Sequence, residues 1–118
     1  MVTQGELYWI DFGYPSGSEV AFKRPFLIIQ NNIFNASRVN TVVGCILTSN
    51  LKRKEVPGCV LLKKGEANLS KESVINTTQL YTINKHECFE KIGQLSERRI
   101  KEVIKGIYLL IEPKEILE

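Results

Sequence analysis

The chain has 118 residues, of which 43% are hydrophobic and 25% are charged, and its formal net charge is +3. These proportions are typical of an ordinary folded domain, and the length predicts one domain over residues 1–118 that buries a core without metal or disulfide cross-links. No apolar run approaches the roughly 20 residues of a membrane helix, and the N-terminus lacks the regions of a signal peptide, so we expect a cytoplasmic protein.

The charge is divided unevenly along the chain. The first 64 residues carry eight Lys or Arg against four Asp or Glu, whereas the rest carry eight against nine. The cationic surplus suits a polyanion or an acidic protein partner, and it suits solubility equally well. Cys45, Cys59 and Cys88 are odd in number and have apolar neighbours, which predicts buried thiols rather than disulfides or metal ligands. His86, the only histidine, excludes a two-histidine metal site within one chain, and we expect it at the surface.

The first predicted strand covers residues 6–12, which are rich in aromatic and branched side chains. Residues 13–19 contain two Gly, one Pro and two Ser, which excludes a helix or a strand there. The resulting loop runs for about eleven residues to Lys23, and it is either a functional loop or a plain connector.

The second predicted strand, residues 26–29, is apolar without interruption, as expected for a strand that is covered on both faces. Pro25 suits its first residue, because proline has a fixed φ and no N–H, and it keeps Arg24 extended just outside the core. An arginine at the rim of a rigid strand can bind an anion bidentately, or it can be a plain solvated charge.

A turn-rich link follows at residues 31–38, and residues 41–47 form the third predicted strand. Thr48, Ser49 and Asn50 come directly after it. Two hydroxyls and an amide at this point can bind an anion or satisfy the local backbone. A basic loop of Lys52, Arg53 and Lys54 comes next in the chain, and it precedes three further predicted strands, at residues 59–62, 73–81 and 90–95.

One helix is predicted, with Ser96 as its cap and Pro113 at its end. The capping box is absent because Arg99 occupies its third position. Apolar residues at helical spacing predict one face buried against the sheet: Ile100, Val103, Ile104, Ile107, Leu110 and Ile111. Short strands followed by this helix predict a small, strongly bent antiparallel sheet or barrel, a mainly β fold.

Five stretches carry a resemblance to a known family: residues 5–12, 17–19, 24–31, 47–50 and 72–74. Their order and spacing over about nine-tenths of the chain resemble the MazF/PemK toxins of type II toxin–antitoxin systems. The resemblance implies an SH3-like barrel with a C-terminal α-helix, a two-fold homodimer, and a metal-independent endoribonuclease (mRNA interferase) that cleaves single-stranded RNA at short sequences and needs no cofactor. It also implies an acidic antitoxin protein as partner.

The resemblance assigns the catalytic roles to Arg24 and Thr48. Some family members use an Arg/Asp pair on the later strand, where this chain has residues 76–79, Asn-Thr-Thr-Gln, and that difference favours the Arg24 and Thr48 version. Cleavage by the ribose 2′-OH requires stabilisation of negative charge on the phosphorane and transfer of two protons. Arg24 supplies the cation and Thr48 a hydroxyl donor. Neither is a good base, so Glu19 is nominated as the possible base in the family's Gly17, Ser18, Glu19 loop.

Single-stranded bases must be read by polar side chains and by stacking. The candidates for contacts to base edges are Asn31, Ser49, Asn50, Thr78 and Gln79, and those for contacts to phosphates are Lys23, Lys52, Arg53 and Lys54, with Ser18 in the loop. Two alternatives stay open. One is a non-enzymatic gyrase poison similar to CcdB, which the C-terminal residues 115–118 disfavour because they lack the aromatic and glycine residues of that type. The other is a module that only binds a peptide or RNA.

Overall fold

The computed structural model describes residues 1–13 and 23–116. Within them lie six strands: β1 (Glu6–Asp11), β2 (Lys23–Ile28), β3 (Thr41–Thr48), β4 (Val60–Leu62), β5 (Ser73–Asn84) and β6 (Glu90–Gln94). Two α-helices, α1 (Asn32–Asn35) and α2 (Glu97–Ile111), and three 3-10 helices, Leu51–Glu55, Glu66–Asn68 and Lys85–Glu87, complete the elements. The strands form one sheet in the order β4-β5-β3-β2-β1-β6, and neighbouring strands are antiparallel.

The predicted fold class, mainly β with antiparallel strands and a C-terminal helix, is confirmed. Two boundaries differ from the prediction by more than one residue, and the others agree to within one residue. β2 begins at Lys23, so Pro25 is its third residue rather than its first. β5 continues to Asn84, three residues beyond the predicted end. The basic loop is a 3-10 helix, Leu51–Glu55, because the Asn50 side chain accepts a hydrogen bond from the Lys52 N–H and caps it.

Side chains alternate between the two faces of the sheet, and each face has its own core cluster. On one face, Leu7, Leu27 and Leu47 pack with Val103 and Ile107 of α2. A second cluster contains Val2, Tyr8, Ile10, Phe26, Ile28 and Val42. Tyr8, Phe26 and Ile28 are direct chain neighbours of Leu7 and Leu27, so their side chains lie on the other face. β2 is therefore covered on both faces, as its uninterrupted apolar run predicts.

The helix α2 contacts the sheet along a narrower stripe than predicted. Val103, Gly106 and Ile107 are buried, whereas Ile104, Leu110 and Ile111 are 41%, 47% and 63% exposed. The expectation that all six apolar residues are buried was wrong, because only a narrow stripe of the helix contacts the sheet: Ile104 lies to one side of that stripe, and Leu110 and Ile111 lie in the last helical turn. The helix approaches closely at Gly106, whose added Cβ would collide with the Gly58 carbonyl oxygen.

The remaining predictions concern single residues. Ser96 caps α2 and accepts a hydrogen bond from the Arg99 N–H at 3.3 Å. All three cysteines are free; Cys45 is buried, and burial raises the pKa of its thiol to about 12, whereas Cys59 and Cys88 are only partly buried. His86 is exposed, as expected. Within residues 1–13 and 23–116, none of the helices has the length and apolar character needed to cross a membrane.

Candidate active site

The register of β2 and β3 brings Arg24 and Thr48 together. Phe26 pairs with Ile46, and the same register continued by two residues sets Arg24 opposite Thr48. The Ile29 N–H donates to the Val43 carbonyl on β3, so odd-numbered residues of β2 direct their backbone groups toward β3. Leu27 is the next such residue toward the start of the strand, and Pro25 is the one after it. Because Pro25 has no N–H to donate, the pairing ends there. The pairing of β2 with β3 thus stops short of Arg24 and Thr48, and cavities open at these strand ends.

The two side chains are in contact across this opening. Arg24 Nη1 lies 3.4 Å from Thr48 Oγ1, and both residues are partly buried. The Thr48 oxygen also accepts a hydrogen bond from the Asn50 N–H at 3.1 Å. Because a hydroxyl oxygen accepts two such bonds and still carries its own proton, Thr48 can donate that proton to a ligand. The pair therefore offers a fork of cationic N–H donors beside an O–H donor.

Two cavities open on either side of the pair, and both are lined by Arg24 and Thr48. The larger cavity, about 530 Å³, lies on the side of Trp9, Leu69 and Ile92. The smaller cavity, about 180 Å³, lies on the side of Ile46, Gln79 and Tyr81. Pro25 and Leu47 line the larger one and Ile46 the smaller one, so the cavities approach the strand ends from opposite faces of the sheet.

The described lining of both cavities is cationic. Arg24, Lys23 and Lys71 line the larger cavity and Arg53 lines the smaller one, and no Asp or Glu is found among the described lining residues of either. Lys23 is the partial exception, since its Nζ pairs with Glu90 Oε1 at 2.9 Å. A concave surface with charge of one sign attracts a polyanion. Residues 1–13 and 23–116 contain no cluster of three or more His, Cys, Asp or Glu suited to a metal ion.

Comparison with known proteins identifies the family. The model of the PemK-like, MazF-like toxins of type II toxin–antitoxin systems matches residues 3–111. The chain belongs to this family. Among curated proteins, it is 36% identical over 112 residues to endoribonuclease MazF2 of Mycobacterium bovis, covering 95% of this chain and 98% of that protein. Endoribonuclease MazF of Staphylococcus saprophyticus is 34% identical over 107 residues, covering 91% and 88%.

Solved structures of the same family share the fold. An endoribonuclease in complex with its cognate antitoxin from a mycobacterial species superposes with a TM-score of 0.77, at 22% identity, covering 98% of this chain and 100% of that one. A MazE–MazF complex from Deinococcus radiodurans has a TM-score of 0.75 at 21% identity, covering 93% and 95%. The SH3-like barrel implied by the resemblance to the MazF/PemK family is thus confirmed as the fold of this chain.

Several of the residues predicted to contact RNA surround the Arg24 and Thr48 pair. Lys23 and Ser49 line the larger cavity, and Arg53 and Gln79 line the smaller one. Lys52 and Lys54 are exposed on the adjoining 3-10 helix.

Three predicted amide and hydroxyl residues are engaged within the protein. Asn50 uses its side-chain oxygen as the cap of the 3-10 helix Leu51–Glu55. Thr78 donates its hydroxyl to Asn76 Oδ1 at 2.6 Å, and the Asn76 amide in turn donates to Gln79 Oε1 at 3.2 Å. Gln79 nevertheless lines the smaller cavity.

Asn31 lies elsewhere. It follows the opposite end of β2 from Arg24, and its side-chain oxygen accepts the N–H groups of Ile33 and Phe34 as the cap of α1. The structure therefore does not bring Asn31 to the Arg24 and Thr48 pair. Ser18 and Glu19, with the rest of the Gly-Ser-Glu motif, lie outside the described residues.

Five further residues of the cavity walls were not predicted from the sequence as site residues. Trp9, Asn68, Ser70 and Lys71 line the larger cavity, and Tyr81 lines the smaller one. Trp9 was placed only in a predicted strand, although a strand tryptophan that is 40% exposed is the kind of side chain that stacks on a ligand. Lys71 gave no signal, because it follows an ordinary polar link between two strands.

Proposed function

We propose that this chain is an endoribonuclease toxin that cuts single-stranded RNA at specific sequences and is neutralised by an antitoxin. The observation that carries the proposal is the contact between the Arg24 guanidinium and the Thr48 hydroxyl at the junction of two cationic cavities. Membership of the toxin family and the endoribonuclease relatives of 34–36% identity support the same reaction class.

The proposed reaction uses the RNA's own ribose as nucleophile. The 2′-OH attacks the adjacent phosphorus, a bond forms between phosphorus and O2′, and the bond to the 5′ oxygen breaks. The products are a 2′,3′-cyclic phosphate and a 5′-OH, so one proton leaves the 2′ oxygen and another reaches the 5′ oxygen. No metal ion is needed to make the nucleophile. DNA is not a substrate, because it has no 2′-OH.

Arg24 and Thr48 act on the charge that develops at phosphorus. The Arg24 fork binds the non-bridging oxygens, whose negative charge increases in the phosphorane. The Thr48 proton, held in direction by the two donors to its oxygen, adds a hydrogen bond to the same group. Glu19 is the proposed base for the 2′-OH, since the described cavity walls contain no carboxylate.

The RNA strand is proposed to pass across the strand ends, from one cavity to the other. Ser49, Thr78 and Gln79 contact base edges near the cut, with Asn50 beside them, and Lys23, Lys52, Arg53 and Lys54 contact phosphates; Ser18 contributes from the loop. Asn31 is not included, because its side chain caps α1 at the other end of β2.

Two protein partners belong to the proposal. An acidic antitoxin fits the cationic cavities, and the structural neighbours include toxin–antitoxin complexes. A two-fold homodimer is proposed on the family resemblance and on large apolar side chains that the single chain leaves exposed, among them Phe34 at 54% and Phe89 at 76%. Sedimentation at micromolar concentration tests the dimer, and a monomer there contradicts it.

Incubation of the purified protein with a long single-stranded RNA in EDTA tests the activity. We expect cuts at a short recurrent sequence, with cyclic phosphate and 5′-OH ends, and no cuts in single-stranded DNA of the same sequence. Intact RNA together with inhibition of DNA gyrase would favour the CcdB-like alternative. Intact RNA without gyrase inhibition would favour a binding module.

A further inference from the structure

We propose that the larger cavity is a base-binding subsite, in which Trp9 stacks on the nucleobase at one side of the cut and Lys71 holds the neighbouring phosphate. The inference rests on the proposed ribonuclease function and deepens it. It assigns one side of the RNA to Trp9 and Lys71, neither of which is among the RNA contacts predicted from the sequence.

The floor of the larger cavity suits a flat aromatic ligand. Trp9 is 40% exposed, and its register partner on β2 is Pro25, which lines the same cavity. Leu69 and Ile92 complete the apolar surface. The volume, about 530 Å³, lies in the range of roughly 300–1,000 Å³ that is usual for cavities that bind small molecules. A tryptophan beside such a surface provides a stacking platform for a nucleobase of any kind.

The rim supplies the groups that recognise a nucleotide. Lys71 is exposed at the cavity, and the described residues that line the cavity include no carboxylate. Its charge is therefore available to a phosphate. Asn68 donates one amide proton to the Ile92 carbonyl at 3.1 Å, which fixes its orientation. Its side-chain oxygen and second amide proton remain for a base edge. The neighbouring Ser70 is also exposed at the rim.

This wall is held in shape from behind. Ala67 and Asn68 both have positive φ, 50° and 63°, in the left-handed region that side chains other than glycine seldom adopt. Glu66 is clamped by Arg99 of α2 through two bonds of 2.9 and 3.0 Å. Gly93 lets the Ala67 carbonyl lie directly against β6, where any Cβ would collide with it. An unusual backbone conformation fixed by contacts on all sides is a common property of ligand-binding sites.

The position of the cavity fixes which part of the RNA it receives. Arg24 and Thr48 line the larger and the smaller cavity alike, so a phosphodiester bound between them has one neighbouring nucleotide on each face of the sheet. The smaller cavity presents Gln79 and Arg53, and the larger one presents Trp9 and Lys71. The two sides of the cut are thus read by different residues, and each can be changed without the other.

Trp9 is the only tryptophan in the chain, so its fluorescence reports this cavity alone. The first experiment titrates the Arg24→Ala variant, which we expect not to cut, with a dye-labelled single-stranded RNA. Anisotropy measures binding and tryptophan emission measures stacking. We expect the emission to be quenched in parallel with the rise in anisotropy. We expect Lys71→Gln to weaken RNA binding by about 3- to 10-fold. The matched control is Lys101→Gln, at an exposed position of α2, which should leave RNA binding unchanged.

The second experiment maps the cut sites of the active protein on a random RNA pool. Trp9→Leu is expected to relax the base preference at one position next to the cut, because the base is no longer held against the Asn68 side chain, and to leave the others as they are, whereas Trp9→Phe retains it. Saturating anisotropy with unchanged emission, or an unchanged preference in folded Trp9→Leu, overturns the subsite. Quenching by an acidic antitoxin segment but not by RNA overturns it in favour of a protein-docking cavity. If RNA quenches the tryptophan emission but the unmutated protein never cuts it, the proposed ribonuclease function is contradicted. The cavity is then still supported as an RNA-binding site.

Discussion

The two ends of the β2 and β3 pair are both rich in polar side chains, but they use them differently. At the end that leads into α1, Gln30 donates to Asn35 Oδ1 and to the Thr41 carbonyl, and its oxygen accepts the Val43 N–H. At the other end, Arg24 and Thr48 face two cavities. We call the end beside α1 the closed end and the end at Arg24 and Thr48 the open end.

The closed end is completed by two further residues. Asn35 is 3% exposed and donates to the Gln30 carbonyl and to Asn32 Oδ1 at 2.8 and 3.1 Å. Lys85 donates to three backbone carbonyls at the end of α1, those of residues 34, 35 and 37, at 3.4, 3.0 and 3.1 Å. Polar groups whose bonds are all made inside the protein stabilise the fold, whereas those with donors still directed at a cavity can bind a ligand.

The largest expected effect is at the open end. Arg24→Ala should lower the cleavage rate by about 10³-fold or more, because the charge on the phosphorane loses its cationic donor, while the free energy of unfolding changes by less than about 1 kcal/mol. Single-turnover cleavage and urea unfolding measure the two quantities. Arg24→Lys, which keeps the charge but not the fork, should retain an intermediate rate. Turnover near wild type in Arg24→Ala would remove this residue from the mechanism.

Thr48→Val tests the second donor of the open end. The rate should fall by about 10²-fold, since the side chain keeps its shape but loses the proton aimed at the phosphate. Thr48→Ser, which keeps the hydroxyl, serves as the control and should cut within a few-fold of wild type. Equal rates for the valine and serine variants would assign Thr48 a purely structural role.

Asn35→Ala tests the closed end in the opposite sense. It should reduce the free energy of unfolding by about 1–3 kcal/mol, because the partly buried Gln30 carbonyl loses its donor and the Gln30 side-chain amide loses one of its two acceptors. The cleavage rate per folded molecule should stay near wild type. The measurement is chemical denaturation followed by cleavage assays below the transition. A large loss of rate in fully folded protein would show that the two ends are coupled.

Asn31→Ala separates a helix cap from an RNA contact. Loss of the cap of α1 should cost about 1 kcal/mol of stability. We expect the base preference around the cut to be the same as in wild type, as read by sequencing of cleaved ends. A changed preference at any position would restore Asn31 to the RNA-binding set and would contradict its assignment to the closed end.

The smallest effect concerns the ion pair behind the larger cavity. The Arg99 guanidinium holds the pKa of the Glu66 carboxyl below its ordinary value of 4.5 despite partial burial. A depressed folded pKa means that the stabilisation is present above about pH 4.5 and is lost as the pH falls through the folded value. Glu66→Gln should therefore destabilise the protein by less than about 1 kcal/mol at pH 7, and by progressively less in acid. A difference that grows in acid would contradict this.

Much of the fold was predictable, because it follows from local patterns. Alternation and apolar runs indicate strands, and the 3.6-residue period and the Ser96 cap indicate the helix. The exposure of Ile104, Leu110 and Ile111 was not predictable, since periodicity shows which face is apolar but not how far the sheet extends beneath it. The extra length of β5 was missed because residues 82–84 are held in the strand by their pairing with β3, which is distant in the sequence.

The candidate site was predictable in part. The motif resemblance singles out Arg24 and Thr48, but only pairing between strands can bring residues so distant in the chain into contact. Asn31 follows a strand and Gln79 lies within one, and the sequence alone predicts the same role for both amides. Only the structure shows that Asn31 caps α1 whereas Gln79 lines the smaller cavity. Trp9 and Lys71 belong to separate elements, and nothing in their neighbouring residues indicates that they share a cavity.

The end of the β2 and β3 pairing at Pro25 has a consequence for when activity can arise. Arg24 and Thr48 face each other only while the hydrogen-bond register of these strands is correct, and a shift by one residue would send one side chain to the opposite face. An unfinished or misfolded chain therefore lacks the proposed reactive centre. The proposed cleavage requires the paired strands, and a chain still being synthesised does not yet have them.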